Sequence, residues 1–224
     1  MCDEAHEESQ PINELMIRGV VVGLFGTNCY IVGSRQRGEG VVLDPGDDPQ
    51  AILALARDLG VRITRVIATH AHLDHVLAAQ ALKDETGATF LLHADDADIL
   101  ANVPESAQQW LSREVAPPPA PDFWLRGEED LEIAGVTVRA LHTPGHTPGS
   151  VSLYAESGSL LFSGDTLFRG TIGRTDLQGG DYDTIIRTLN TTLAALPEDT
   201  TVLPGHMQQT TIGAEKATNP FFHR

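Results

Sequence analysis

Short apolar runs broken by glycine, asparagine and charge open the chain, at Gly19 to Phe25, Cys29 to Gly33 and Gly40 to Leu43. Their β-branched content and spacing predict three consecutive hairpin strands. From Asp48 the period changes, with Ile52, Leu55, Ala56 and Leu59 recurring on one helical face until Gly60. A strand over Ile63 to Thr69, a helix over Leu77 to Lys83, a strand over Thr89 to Leu92 and a short helix over Asp95 to Ala101 follow. The segment Ala116 to Asp122, with Pro117, Pro118, Pro119 and Pro121, cannot continue a helix or a central strand and reads as a loop between two halves. The second half repeats the plan, with strands at Leu131 to Ile133, Val136 to Leu141, Val151 to Tyr154 and Leu160 to Ser163. A helix with an apolar face of Tyr182, Ile185, Ile186, Leu189 and Leu193 comes next, and a strand at Thr201 to Leu203 closes the pattern.

Strands followed by helices, done twice, predict an α/β architecture of two mixed sheets packed face to face with helices outside. Residues 1 to about 16, with Asp3, Glu4, Glu7 and Glu8, bury little and read as a flexible acidic tail before one domain over 17–224. That acidic start lacks the basic and then apolar plan of a secretory signal, and the expected location is the cytoplasm. The longest apolar runs fall far short of the roughly 20 residues of a membrane span.

Composition narrows the partners. The chain has 15 Lys and Arg against 31 Asp and Glu, a net charge of −16, which argues against nucleic acid and against an anionic membrane surface. With 41% hydrophobic residues the chain can build a real core. Cys2 and Cys29 are the only cysteines, and with Cys2 in the tail they read as a tail thiol and a core residue rather than a disulfide or a Cys/His pair.

The informative stretch is THAHLDH, Thr69 to His75, at the end of a predicted strand. His70 and His72 share one side of an extended segment, while Asp74 and His75 fall where the chain turns into a helix, so two separate donor pairs result. Further donors stand at other strand ends: His146 in HTPGHTPGS, Asp165 in FSGDTLF and His206 in LPGHMQ. Five of the nine histidines thus sit in three tight loops. Imidazole with carboxylate suits zinc, iron or manganese, and a set without Cys points to an open metal site rather than a closed structural zinc.

These residues resemble the metallo-β-lactamase superfamily, whose signature H-x-H-x-D-H followed by His, Asp and His is matched from His70 to His206. The resemblance implies a four-layer αββα sandwich with two divalent ions, zinc foremost, at one edge. It implies that His70, His72 and His146 hold the first ion, that Asp74, His75 and His206 hold the second, and that Asp165 bridges them. Asp74 would also orient the hydroxide nucleophile.

Single residues separate the branches. The oxygen-reducing diiron branch carries Glu where His72 stands, a nuclease conflicts with the charge, and a β-lactamase would carry an export signal. TNCYIV at Thr27 to Val32, the stretch Gly164 to Asp181 and TTIGAEKATNPF at Thr210 to Phe221 resemble the glyoxalase II group, especially its shorter members. A small-molecule thioester of the S-lactoylglutathione kind is therefore the expected substrate. Its thiolate, with a reference pKa of about 8.5, leaves without a dedicated general acid.

Longer glyoxalase II enzymes add a helical domain that holds glutathione, and only 18 residues follow His206. Arg174 stands where they carry Lys, and Asp176 and Gln208 where they carry Tyr. Arg174 and Arg169 are the candidate substrate contacts, with an ion pair to Asp176 or Asp181 the competing use of Arg174. His142 reads as a loop-orienting hydrogen bonder, His93 as a strand-end polar residue, Lys216 as a solvated helix residue ahead of a late substrate contact, and Trp110 and Trp124 as core or cover packing beside the proline loop ahead of lining a substrate mouth. The rival activity is a glutathione-persulfide dioxygenase with one iron on His70, His146 and Asp165. A lactonase or other ester hydrolase ranks lower, and a non-catalytic binding module would be free to lose ligands that this chain keeps.

Overall fold

The computed structural model describes residues 15–222. Six strands form the first sheet in chain order: β1 (Leu15–Val22), β2 (Thr27–Ser34), β3 (Glu39–Leu43), β4 (Arg62–Ile67), β5 (Thr89–His93) and β6 (Phe123–Leu125). The first three are antiparallel, and β3 to β6 run parallel. Parallel neighbours need long crossovers. These carry α1 (Pro49–Leu59), α2 (Leu73–Val76), α3 (Ala79–Thr86), α4 (Ala97–Ala101) and α5 (Val103–Leu111).

The second sheet begins as an antiparallel meander of β7 (Asp130–Ile133), β8 (Val136–His142), β9 (Val151–Ala155) and β10 (Leu160–Gly164). A small ribbon, β11 (Leu167–Phe168) with β12 (Thr171–Ile172), and α6 (Tyr182–Thr188), which continues as a π-helical stretch over Leu189–Leu193, come before β13 (Thr201–Pro204). β13 lies parallel to β10, then β14 (Thr210–Thr211) and α7 (Ile212–Thr218) complete the unit.

Alternation along the strands builds the layers. In β3, Val41 and Leu43 join Leu153, Ala155 and Phe162 between the sheets, while Val42 faces Ile52, Ala56 and Leu82 on the helical side. In β9, Val151 and Leu153 point to the sheet interface and Tyr154 packs with Leu189, Leu193 and Val202 under α6. Each fully buried Ile or Leu in these layers contributes about 1.5–3 kcal/mol. The result is the expected sandwich of two mixed sheets between helical layers. The parallel pairs β3–β4 and β10–β13 matter for the site, because they bring the loops after four strands to the same edge.

Several boundaries differ from the sequence reading. The tail expected at residues 1 to about 16 lies outside the described residues up to position 14, as does Cys2, and Leu15 and Met16 open β1. Gly23 to Phe25 form a turn rather than the end of a strand, because Gly23 and Gly26 adopt φ of 66° and 71°. The proline segment does not divide the halves, since β6 follows it and pairs with β5 in the first sheet. Trp110 and Trp124 are 50% and 41% exposed, so neither is a core residue.

Candidate metal centre

Four strand ends deliver the donors. β4 runs into the loop bearing His70 and His72 and then into α2, which carries Asp74 and His75 on its first turn. β8 leads to the His146 loop, β10 to Asp165 and β13 to His206. Gly205 is required before His206, because a Cβ there would meet Asp165 Oδ1 and lie 2.8 Å from His75 Cε1.

The seven predicted donors converge. His72 Nδ1 lies 2.8 Å and His70 Nε2 3.2 Å from His146 Nε2, and the donors of this trio all lie within 4.8 Å of one another. Donors about 2.1 Å from a tetrahedral ion are separated by about 3.4 Å, so these rings have the right spacing for one. Asp74, His75 and His206 form the second cluster, with Asp74 Oδ2 3.1 Å from His206 Nε2 and 3.6 Å from His75 Nε2. Asp165 stands between the two. Its Oδ2 is 3.7 Å from His146 Nε2 and 3.5 Å from His206 Nε2, and its Oδ1 is 3.4 Å from His75 Nε2.

Three atoms here are buried without a hydrogen-bond partner, His75 Nδ1, His75 Nε2 and Asp165 Oδ1, and the last two face each other at 3.4 Å. Buried polar atoms are rarely left in that condition. Lone pairs facing one another across a gap are what a cation satisfies, so the donor set fits the metal that the chemistry of His and Asp implies.

Electrostatics divide the cluster. Burial first, then the neighbouring imidazoles, hold His70 well below the usual histidine value, and burial brings His72 to about 4 and His146 to about 3. Burial also penalises the charged form of His75, but the carboxylates of Asp165, Asp44 and Asp74 outweigh it and push its pKa up to about 10. His206 is raised as well, with the bond to Asp74 and the charge of Asp165 overcoming burial. Burial lifts Asp165 to about 6 against the pull of His75 and His206, whereas His75 and His206 overcome burial at Asp74 and hold it well below the ordinary carboxylate range.

Positioning residues surround the donors. Asp44, with φ of 52° after β3, accepts from Thr69 N at 2.7 Å and Thr69 Oγ1 at 3.0 Å, and its Oδ2 lies 3.2 Å from His75 Nδ1. Fully buried Asp96 accepts from Ala71 N at 2.8 Å, Thr147 Oγ1 at 2.9 Å and Gly149 N at 2.7 Å, tying the loop of His70 and His72 to that of His146. Neither acid is singled out by the sequence pattern. A strand-end LDPG for Asp44 was the available signal, and nothing separates Asp96 from Asp95 and Asp98 in ADDAD. The TNCY stretch also acquires a use. Thr27 Oγ1 donates to Asp74 Oδ2 at 3.2 Å, and Asn28 Nδ2 and Tyr30 OH donate to backbone carbonyls of the His206 loop at 2.8–3.0 Å.

The remaining candidates fall as follows. The carbonyl of Arg174 lies 2.7 Å from His146 Nδ1, and its guanidinium donates to both oxygens of Asp176 at 2.7 and 2.8 Å, the competing use weighed above. Arg169 donates to Gln208 at 2.9 Å and does not line the cavity over the metal centre. His142 Nε2 lies 2.8 Å from the Pro148 carbonyl and its ring stacks on buried His93, so both steady the His146 loop from below. Lys216 lies on α7, half-buried, away from the cavity. The cavity itself, about 920 Å³, has His72, Asp74, His146, Asp165 and His206 in its floor, and Trp110 belongs to its wall.

The chain is similar to several known proteins along nearly its whole length. Hydroxyacylglutathione hydrolase GloC of Haemophilus influenzae is 34% identical over 91% of this chain and 96% of its own. Among solved structures, BLEG-1 B3 metallo-beta-lactamase is 35% identical with a TM-score of 0.87, covering 93% of this chain and all of that one. TTHA1623 in a di-iron-bound form is 37% identical with a TM-score of 0.84, covering 92% and 100%. ETHE1 from Myxococcus xanthus is 28% identical with a TM-score of 0.77, covering 92% and 83%. The sequence model of the metallo-beta-lactamase superfamily matches residues 22–206, the span that runs from the end of β1 to the last predicted donor, and the chain belongs to that superfamily.

Proposed function

We propose that the protein is a thioester hydrolase of the hydroxyacylglutathione hydrolase type that works with two divalent ions, zinc foremost and iron or manganese as the other candidates. His70, His72 and His146 would hold one ion, Asp74, His75 and His206 the other, and Asp165 would face both. When bound, such ions supply a hydroxide near neutral pH and polarise the carbonyl under attack. In the net reaction water adds its oxygen to the acyl carbon, the C–S bond breaks, and a carboxylic acid and a thiol leave.

One observation carries the choice of thioester. Among the described residues lining the cavity, the ionisable groups outside the donor clusters are Arg174 and Asp176, with no Lys, Tyr or Cys to protonate a leaving group. A thiolate needs no such help, whereas an amine does. The similarity to GloC along nearly the whole chain supports the same reading. Asp74, 19% exposed in the floor and tied to Thr27, would orient the attacking oxygen. The spacing of His70, His146 and Asp165 and the likeness to ETHE1 favour a second reading, a persulfide dioxygenase with one iron.

Metal quantification under anaerobic conditions followed by parallel assays separates them. Thioester cleavage with about two ions per chain is expected. Oxygen consumption with a persulfide, at one iron per chain and with thioesters left intact, would replace the hydrolase reading by its rival.

A further inference from the structure

The mouth above the donors is unsuited to a glutathione arm. Phe25 from the β1–β2 turn, Ile99 and Val103 from α4 and α5, Trp110 from α5, and Ile172 and Leu177 give its walls the larger, apolar share of their surface, beside the uncharged polar groups of Asn102, Gln109 and Gln178. Phe25 and Trp110 keep 44% and 50% of their surface exposed. Large aromatic surface left open beside a reactive centre is covered when a ligand of like character enters.

The charges point the same way. The single cation among the described lining residues, Arg174, is engaged by Asp176 at Nε and Nη2, which occupies one edge of its guanidinium and leaves Nη1 open. A glutathione arm carries two carboxylates. They would meet Asp176, compete with it for Arg174, and approach a chain of net charge −16.

Resting on the thioesterase reading, we infer that the substrate arm lying in this mouth is uncharged and apolar, an aryl or branched alkyl group packed between Trp110 and Phe25, in place of the dicarboxylate arm of glutathione. Trp110 is then a specificity-determining residue, and the Arg174–Asp176 pair acts as a neutral rim on which an anionic arm must compete with Asp176.

The test uses zinc-loaded protein and two lactoyl thioesters that differ only in the thiol, benzyl thiol or glutathione. It is paired with equilibrium binding of the corresponding 2-hydroxypropyl thioethers, which cannot be hydrolysed. The benzyl compounds are expected to be favoured about tenfold or more in both kcat/KM and Kd. Trp110→Ala, at a half-exposed position, is expected to cut this preference about tenfold while circular dichroism shows the fold kept. Asp176→Asn, which frees Arg174, is expected to cut it from the other side by improving the glutathione arm. Equal or better use of glutathione, or a preference untouched by Trp110→Ala, would overturn the inference. If the thioethers show the preference and neither thioester is cleaved, the assignment of the mouth stands and the thioesterase reading fails. If both are cleaved with glutathione favoured, the reverse holds.

Discussion

His70, His72 and His146 meet as three bare imidazoles, two of whose contacts are 2.8 and 3.2 Å, while Asp74, His75 and His206 pair each ring with a carboxylate at 3.1 or 3.6 Å. The first trio is kept neutral by burial, and its lone pairs stand ready. In the second, Asp44, Asp74 and Asp165 surround His75 and favour its protonated form. A preformed ligand set thus sits beside one that must exchange a proton for a metal. Asp165 belongs to neither alone, and its position between them makes it the first place to break the comparison.

Asp165→Asn is expected to have the largest effect, because it removes the charge that both trios face. Loss of an outer partner costs roughly 10–100-fold in affinity or activity, and kcat/KM for a thioester should fall by more than that here. Metal counts taken with the rates check it. Full turnover with two ions bound would mean that the two clusters work without a shared carboxylate.

Asp44→Asn and Asp96→Asn sharpen the contrast from opposite sides. An Asn at 44 can keep one oxygen on Thr69 N, but its amide then confronts His75 Nδ1, now 3.2 Å from Asp44 Oδ2. Metal affinity at the second trio should drop by about 10–100-fold with the first changed much less. An equal loss at both sites in a two-site titration would contradict this. Asp96 feeds the other side, since Ala71 N, Thr147 Oγ1 and Gly149 N all donate to it from the loops of the first trio. Its amide variant leaves one of these donors unpaired in a buried place, at about 1–3 kcal/mol. A lower urea midpoint at unchanged slope, with metal lost first from His70, His72 and His146, is the expected result.

The same contrast explains what could be read from the chain alone. The donors were visible because three histidines fall within six positions and the others stand in Gly- and Pro-flanked strand ends, where local spacing carries the message. Asp44 and Asp96 were not, because each acts on backbone and side-chain groups 25 or more residues away, and an acid in LDPG or ADDAD looks like any solvated acid until the loops meet. The two-sheet plan followed from periodicity. β6 escaped it, since three residues after a proline run carry almost no period and only pairing with β5 makes them a strand. α5 likewise shows its apolar face only once Val103 and Ala107 are buried. Trp110 went the other way: its size suggested packing, but the cavity leaves it half open.

The smallest effect is also the most direct reading of the electrostatic difference. A histidine whose pKa lies near 10 is protonated throughout the neutral range, so an ion entering the second trio must expel that proton. Its affinity then rises with pH, by about tenfold per unit for one proton. The first trio has no proton to expel across the neutral range, because burial brings His72 to about 4 and His146 to about 3 and holds His70 well below its usual value. Asp165, near 6, is already ionised for most of the window from pH 6.5 to 8.5. Zinc competition with a chromophoric chelator at three values in that window should therefore give a flat affinity for one site and a rising one for the other, with His206 steepening the rise at the lower end. Because Asp44 is among the causes of the shift at His75, Asp44→Asn should also reduce the slope. Parallel slopes at both sites, unaffected by that substitution, would dissolve the distinction between them.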